Sequence, residues 1–140
     1  MQLDIAHIGS TPWAQAVARG VHAKEIYTSH YMGESQGIYV RPDDPTLNYT
    51  GIVTPYDLRN RVIGVPFGST THYQTLFLID LLGLQGEVDV INMSPIQIMQ
   101  AWDKGEIDAA ACWGTARDHV LTQNKARLAN VLLSSGVISE

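Results

Sequence analysis

The chain is poor in charge and has one cysteine. Charged residues make up 16% of its 140 positions, and Cys112 is its sole thiol-bearing residue. One cysteine excludes an intrachain disulfide, although it leaves the redox compartment open. No apolar run approaches the roughly 20 residues needed to span a bilayer. The N-terminus, Met1-Gln2-Leu3-Asp4-Ile5-Ala6-His7, lacks a basic region and a long apolar stretch. The expectation is that the chain carries no signal peptide, any export signal having been removed or never present. His7, His22, His30, His72 and His119 show no close ligand spacing, so no metal site is expected. The nine Lys and Arg residues are scattered and the net charge is -5, which excludes a nucleic-acid footprint.

What is present is a globular composition, 45% hydrophobic, long enough for one ordinary core. Leu3 to Ile8 reads as a strand. Ser10 or Thr11 is placed to cap a helix ending at Gly20. Ile26 to Ser29 and Gly37 to Val40 read as strands, followed by a loop from Arg41 to Gly51. From Arg61 onward strands and helices alternate. Strands are expected at 61–66, 88–92, 107–112 and 128–133, and helices at about 70–82, 95–104 and 115–124. Ser94, Pro95 and Gln97 form a capping-box signature for the second of these helices. The first is apolar nearly all round, which predicts packing on more than one side. The alternation predicts a parallel α/β sheet with helices on both faces and a ligand beyond the carboxyl ends of the strands. A faint repeat relates Leu3-Asp4-Ile5-Ala6 to Ile107-Asp108-Ala109-Ala110. Asp4 and Asp108 are read as structural, bonding nearby loop amides.

Two strand-to-helix corners carry the chemistry. Val65-Pro66-Phe67-Gly68-Ser69-Thr70-Thr71-His72-Tyr73 and Ile8-Gly9-Ser10-Thr11-Pro12 each set a glycine and hydroxyl residues at a helix start. Such a start offers amide N–H groups and a favourable dipole to an anion. No Lys follows in P-loop spacing, so a nucleotide phosphate is a poor fit. A single cap needs a single hydroxyl, and Ser69, Thr70 and Thr71 together exceed that need. The pair of corners suggests a small anionic ligand held between them. Cys112 with His119 would be the nucleophilic alternative, but Cys112 lies in an apolar strand, where an inert buried thiol is the commoner case. No catalytic residue and no cofactor are assigned.

Four segments resemble a known family: 4–12, 57–66, 69–73 and 101–109. They resemble taurine-binding proteins of ABC importers, in the aliphatic-sulfonate and NMT1/THI5-like group with the type II periplasmic-binding fold. Ser69-Thr70-Thr71-His72-Tyr73 is the most specific of them; Gly105-Glu106-Ile107-Asp108-Ala109 is widely shared. The resemblance implies a chain much shorter than a full member. Residues 1–30 would be a remnant of lobe one with the crossing segment, and 31–140 a lobe-two α/β domain with a mixed or parallel sheet.

By this resemblance Ser10 and Thr11 contact the ligand from one lobe, and Ser69, Thr70 and Thr71 from the other. His72 either touches the ligand or orients Thr70. Trp113 either walls the ligand's short alkyl part or packs in the core. Where the family pattern reads Gly-Asn-Ser-Glu, this chain has Gly33-Glu34-Ser35-Gln36. Glu34 lies on the same strand face as Gln36 and would substitute for the missing acid, while neutral Gln36 weakens recognition of an ammonium group. The implied function is a solute-binding module with a taurine-like or alkanesulfonate ligand and an ABC permease as partner. Its location would be periplasmic, or cytoplasmic for a standalone product. The alternatives are a thiamine-pyrimidine enzyme of the same group, or a lobe acting as an interaction protein. The unpaired strand and helix at the N-terminus predict a homodimer through that segment.

Overall fold

The computed structural model describes residues 3–29, 35–43, 49–124 and 127–128, with backbone only for 123, 124, 127 and 128. Its centre is a strand of small side chains. β4 (Ala109–Trp113) lies between β2 (Val62–Val65) and β1 (Gln36–Val40). β3 (Asp89–Asn92) and β5 (Arg127–Leu128) flank them, giving the sheet order β3-β2-β4-β1-β5. Side chains of β4 alternate between two cores. Ala109 and Ala111 face a cluster with Ile38, Ile63, Val65, Leu78 and Ile79. Ala110 and Cys112 face a second cluster with Tyr39, Ile98, Trp102 and Val120. Methyl-sized side chains on a central strand let helices approach closely from both sides, the requirement of a doubly covered sheet.

The helices divide between the faces. α2 (Thr70–Leu81) covers the first. α3 (Pro95–Lys104) and α4 (Gly114–Asn124) cover the second. α3 follows its sequence signals. Ser94 accepts from the Gln97 amide, Gln97 reaches back to the Ser94 amide at 2.8 Å, and Gly105 ends the helix in the left-handed region at φ 71°. The buried Arg41 closes its C-terminal end, donating to the Trp102 carbonyl at 2.6 Å with its guanidinium 4.4 Å from the Trp102 ring. Asp108 fits its structural reading. Its carboxylate accepts from the Val62 amide at 2.9 Å and the Tyr49 hydroxyl at 2.8 Å, and it pairs with Arg61. Burial, then the Asp108 bond, raises the Tyr49 phenol above its ordinary pKa.

The strands from β2 onward run the same way: β2 is parallel to β3 and to β4. β1 is reversed, antiparallel to β4 and to β5. That reversal brings the start of β1 to the edge where the other strands end, with Gln36 in register with Trp113. Pro66 to Ser69, Asn92 and Trp113 therefore share one sheet edge with Gln36.

The N-terminal expectations fare differently. Residues 3–8 and 26–29 form no strand, and Ile26 and Tyr27 are about four-fifths exposed. An alternating apolar pattern makes a strand only against a partner, and none is described beside these residues. The faint repeat therefore has no structural counterpart. α1 (Ser10–Ala18) begins one residue earlier than the hydroxyl caps imply, because Gly9 is its N-cap. α1 rests on α2 of its own chain, so the homodimer through the N-terminal segment finds no support. α2 buries only the face carrying Thr71, Thr75, Leu78 and Ile79; Tyr73, Leu76, Phe77 and Leu81 stay exposed. The last strand is described only at Arg127–Leu128, and the remainder of 128–133 lies outside the described residues.

The second core depends on Trp102, fully buried beneath Arg41. Trp102→Ala is expected to destabilise the fold by about 3–5 kcal/mol, read as a lowered urea midpoint.

Candidate functional site

The corner between β2 and α2 is built by side chains that hold its backbone. Phe67 N–H donates to Asn92 Oδ1 at 3.0 Å, linking the turn to the end of β3. Gly68, in the left-handed region at φ 76°, donates its N–H to His72 Nδ1 at 3.2 Å. The His72 ring stacks on Phe67 at 4.2 Å between centroids. An imidazole that accepts at Nδ1 carries its proton at Nε2 and is neutral. Burial agrees with this, lowering the His72 pKa.

The three hydroxyls that follow have separate roles. Ser69 donates to the Pro66 carbonyl at 2.6 Å, so it has no proton left for Thr71. The 2.9 Å contact between their hydroxyls is therefore Thr71 donating to Ser69. Ser69 also accepts the His72 amide at 3.1 Å as the helix cap. One donor and two acceptor positions are filled, and the hydroxyl has no capacity left for a ligand. Thr71 has no exposed surface. The sequence predicts three ligand-facing hydroxyls; in this structure those of Ser69 and Thr71 are engaged at the helix start. Thr70 is half-buried, as is Ser69.

Thr70 meets α1. A Cβ built on Gly9 would stand 3.0 Å from Thr70 Oγ1, so the starts of α1 and α2 adjoin. The two starts differ. Ser69 caps α2, whereas Gly9 has no side chain with which to cap α1. Ser10 and Thr11 occupy the first two positions of α1, where amides have no intrahelical acceptor; Ser10 is exposed and Thr11 half-buried. Pro12 has no N–H, and Trp13 donates to the Gly9 carbonyl at 3.0 Å. The first turn of α1, with Ser10 and Thr11, therefore begins beside Thr70 at the start of α2. This cluster of donors can solvate a small anion.

A family model described as the substrate-binding domain of ABC-type glycine betaine transport systems matches residues 2–122. The chain belongs to this family. The chain is 33% identical over 115 residues to the taurine-binding periplasmic protein of Escherichia coli (strain K12), covering 81% of this chain and 33% of that protein. Two solved structures share the fold. The periplasmic aliphatic sulphonate binding protein SsuA from Escherichia coli superposes with a TM-score of 0.60 at 23% identity, over 71% of this chain and 33% of that one. The alkanesulfonate-binding protein SsuA from Xanthomonas axonopodis pv. citri, bound to MOPS, gives 0.57 at 24% identity, over 69% and 32%. The chain spans about a third of the length of these relatives. The matched family is the glycine betaine type, where the motifs suggest the NMT1/THI5-like group.

The other residues singled out in the sequence divide. Trp113, half-buried, ends β4 opposite buried Gln36 at the same sheet edge. Glu34 lies outside the described residues. Cys112 is buried, and that burial pushes its thiol up to about 12, so it is not a thiolate near neutral pH. His119 is engaged with Asp103 at 2.8 Å, tying α4 to α3. No nucleophilic pair is formed. Among the described residues no group of three His, Cys, Asp or Glu side chains is placed to hold a metal.

The motifs mark Gly9 as part of a corner but not as the N-cap of α1, and they give Asn92 no hydrogen bond to the turn. An asparagine closing a strand is the available signal for Asn92. For Gly9, it is a glycine where Ser, Thr, Asn or Asp usually caps.

The neutral-histidine clasp has a pH consequence. A folded-state pKa below the ordinary 6.5 means that His72 favours the folded state above about pH 6.5. That contribution is lost as the pH falls below it, because the unfolded chain binds the proton first. His72→Asn keeps an acceptor but does not titrate. Wild type is expected to lose stability relative to this variant as the pH drops from about 6.5, measured by denaturant midpoints, with the His72 NMR titration midpoint below 6.5.

Proposed function

We propose that this chain is part of the solute-binding component of an ABC importer, taking a small, singly charged anion of the sulfonate class at the adjoining starts of α1 and α2. Residues 1–30 supply the lobe-one side of the cleft and 31–140 the lobe-two side. Ser10, Thr11 and Thr70 donate to the anionic group. Trp113 and Gln36 line the side that receives its organic part. His72 acts on the site through the turn it clasps.

The observation that carries this reading is the approach of uncapped Gly9 to Thr70. Two helix starts side by side add their dipoles, and the anion neutralises both. The names of the relatives, taurine-binding and alkanesulfonate-binding, support the same ligand class. They also support a periplasmic location and an ABC permease as partner. Gln36 brings no charge to an ammonium group, so taurine gains little there over a plain alkanesulfonate.

Calorimetric titration of methanesulfonate, taurine and sulfate into the 140-residue chain tests the reading. Each charge-assisted hydrogen bond contributes about 1.5–3 kcal/mol. Thr70→Ala is therefore expected to weaken methanesulfonate binding by about tenfold or more. Binding that Thr70→Ala leaves unchanged would place the site elsewhere, and no binding of any of the three anions would remove the sulfonate assignment.

A further inference from the structure

Two polar groups on the facing sides of α1 and α2 have no partner. The helices adjoin at Gly9 and Thr70. Trp13 stands one turn on from Gly9, and Gln74 one turn on from Thr70, so helical spacing puts each on the side of its helix that begins at this contact. Both residues are half-buried. Gln74 Oε1 is shut off from solvent and accepts no hydrogen bond. Among the described residues it is the one buried side-chain oxygen or nitrogen in that condition. The Trp13 indole N–H, which can donate but not accept, makes no hydrogen bond with a described residue.

An acceptor without a donor therefore stands beside a donor without an acceptor, at matching turns of two neighbouring helices. Buried polar groups are nearly always satisfied in native proteins, because an unpaired one destabilises the fold. The rest of this corner obeys that rule, with Asn92, His72 and Ser69 each taking an amide. The two helices also differ in how firmly they are held. α2 buries Thr71, Thr75, Leu78 and Ile79, whereas no residue of α1 is fully buried. α2 is anchored on the sheet, and α1 is the element free to shift.

We propose that Trp13 and Gln74 are the two halves of a latch, open in this structure, which closes by a hydrogen bond from the Trp13 indole N–H to Gln74 Oε1 when α1 is drawn onto α2. The inference rests on the solute-binding reading above and adds a conformational step to it. α1 lies on the lobe-one side of that reading and α2 on the lobe-two side, so the bond ties the lobes together in the bound form. Neither residue touches the solute, and both act as positioning residues. The unpaired oxygen disfavours the open arrangement and the bond favours the closed one. Both bias the equilibrium on which solute acts.

Gln74→Met keeps the length of the side chain without the acceptor, and Trp13→Phe keeps an aromatic ring without the donor. Wild type, each variant and the double variant, all as the 140-residue chain, are melted without solute and titrated calorimetrically with methanesulfonate. The NMR signal of the Trp13 indole proton, identified by its loss in Trp13→Phe, is followed alongside. Without solute, Gln74→Met is expected to melt at or above wild type, because it removes an unpaired buried oxygen. At saturating methanesulfonate the wild-type indole proton is expected to move downfield and to exchange with solvent about threefold or more slowly. Gln74→Met should abolish both changes. Each single variant is expected to bind methanesulfonate about threefold or more weakly than wild type, and the double variant no more weakly than either. Additive losses, wild-type affinity in either variant, or an indole proton indifferent to Gln74→Met would overturn the latch. So would a Gln74→Met chain that melts well below wild type, since the oxygen would then be bonded already in the free protein. Failure of the wild-type chain to bind methanesulfonate would instead remove the solute-site reading, and this inference with it.

Discussion

The structure depends on how closely two layers of helix can approach one strand. β4 is buried on both faces, and its Ala109, Ala110 and Ala111 carry only methyl groups. Larger side chains there would push α2 away on one side or α3 and α4 on the other. The compensating bulk comes from the helices and from β1: Trp102, Ile98 and Tyr39 fill one core, and Leu78, Ile79 and Ile38 the other. Because β4 also links parallel β2 to antiparallel β1, it brings Trp113 and Gln36 to the edge at which β2 delivers the start of α2. The small strand thus fixes the core and one border of the candidate site together.

At that border the chain settles most of its own polar groups. Asn92 takes the Phe67 amide, His72 takes that of Gly68, and Ser69 takes that of His72. Three successive acceptors lock the corner against α2. The start of α1 is treated oppositely, with a glycine cap and two hydroxyl residues in its first turn. Rigidity on one helix and open donors on its neighbour are complementary needs of a binding site. One element holds the geometry while the other offers hydrogen bonds.

Local signals in the sequence are legible, and long-range ones are not. The limits of α3 follow from Ser94, Pro95, Gln97 and Gly105, which act within one turn of where they sit. The parallel run from β2 onward follows from strand–helix alternation. The reversal of β1 does not, since Gln36 to Val40 find their β4 partners far along the chain, at Ala109 to Trp113. Leu3 to Ile8 show how a strand-like pattern misleads when no strand beside it is found among the described residues. The hydroxyl triplet gives a subtler lesson. Ser69, Thr70 and Thr71 look equivalent as chemistry, but helical spacing sets Thr71 on the face of Thr75 and Leu78, hence inward. That phase is a matter of residue spacing and can be read along the chain. The satisfaction of Ser69 cannot, because it needs the Pro66 carbonyl and the Thr71 hydroxyl in place.

The anion is held, on this account, where α1 and α2 begin. Backbone amide shifts of the isotope-labelled chain, followed as methanesulfonate is added, test this most directly. The largest saturable shifts are expected on Ser10, Thr11 and Thr70, with Phe67 and Gly68 moving less because their amides already have acceptors. Saturable shifts centred on another part of the chain, or none at these three amides, would contradict it.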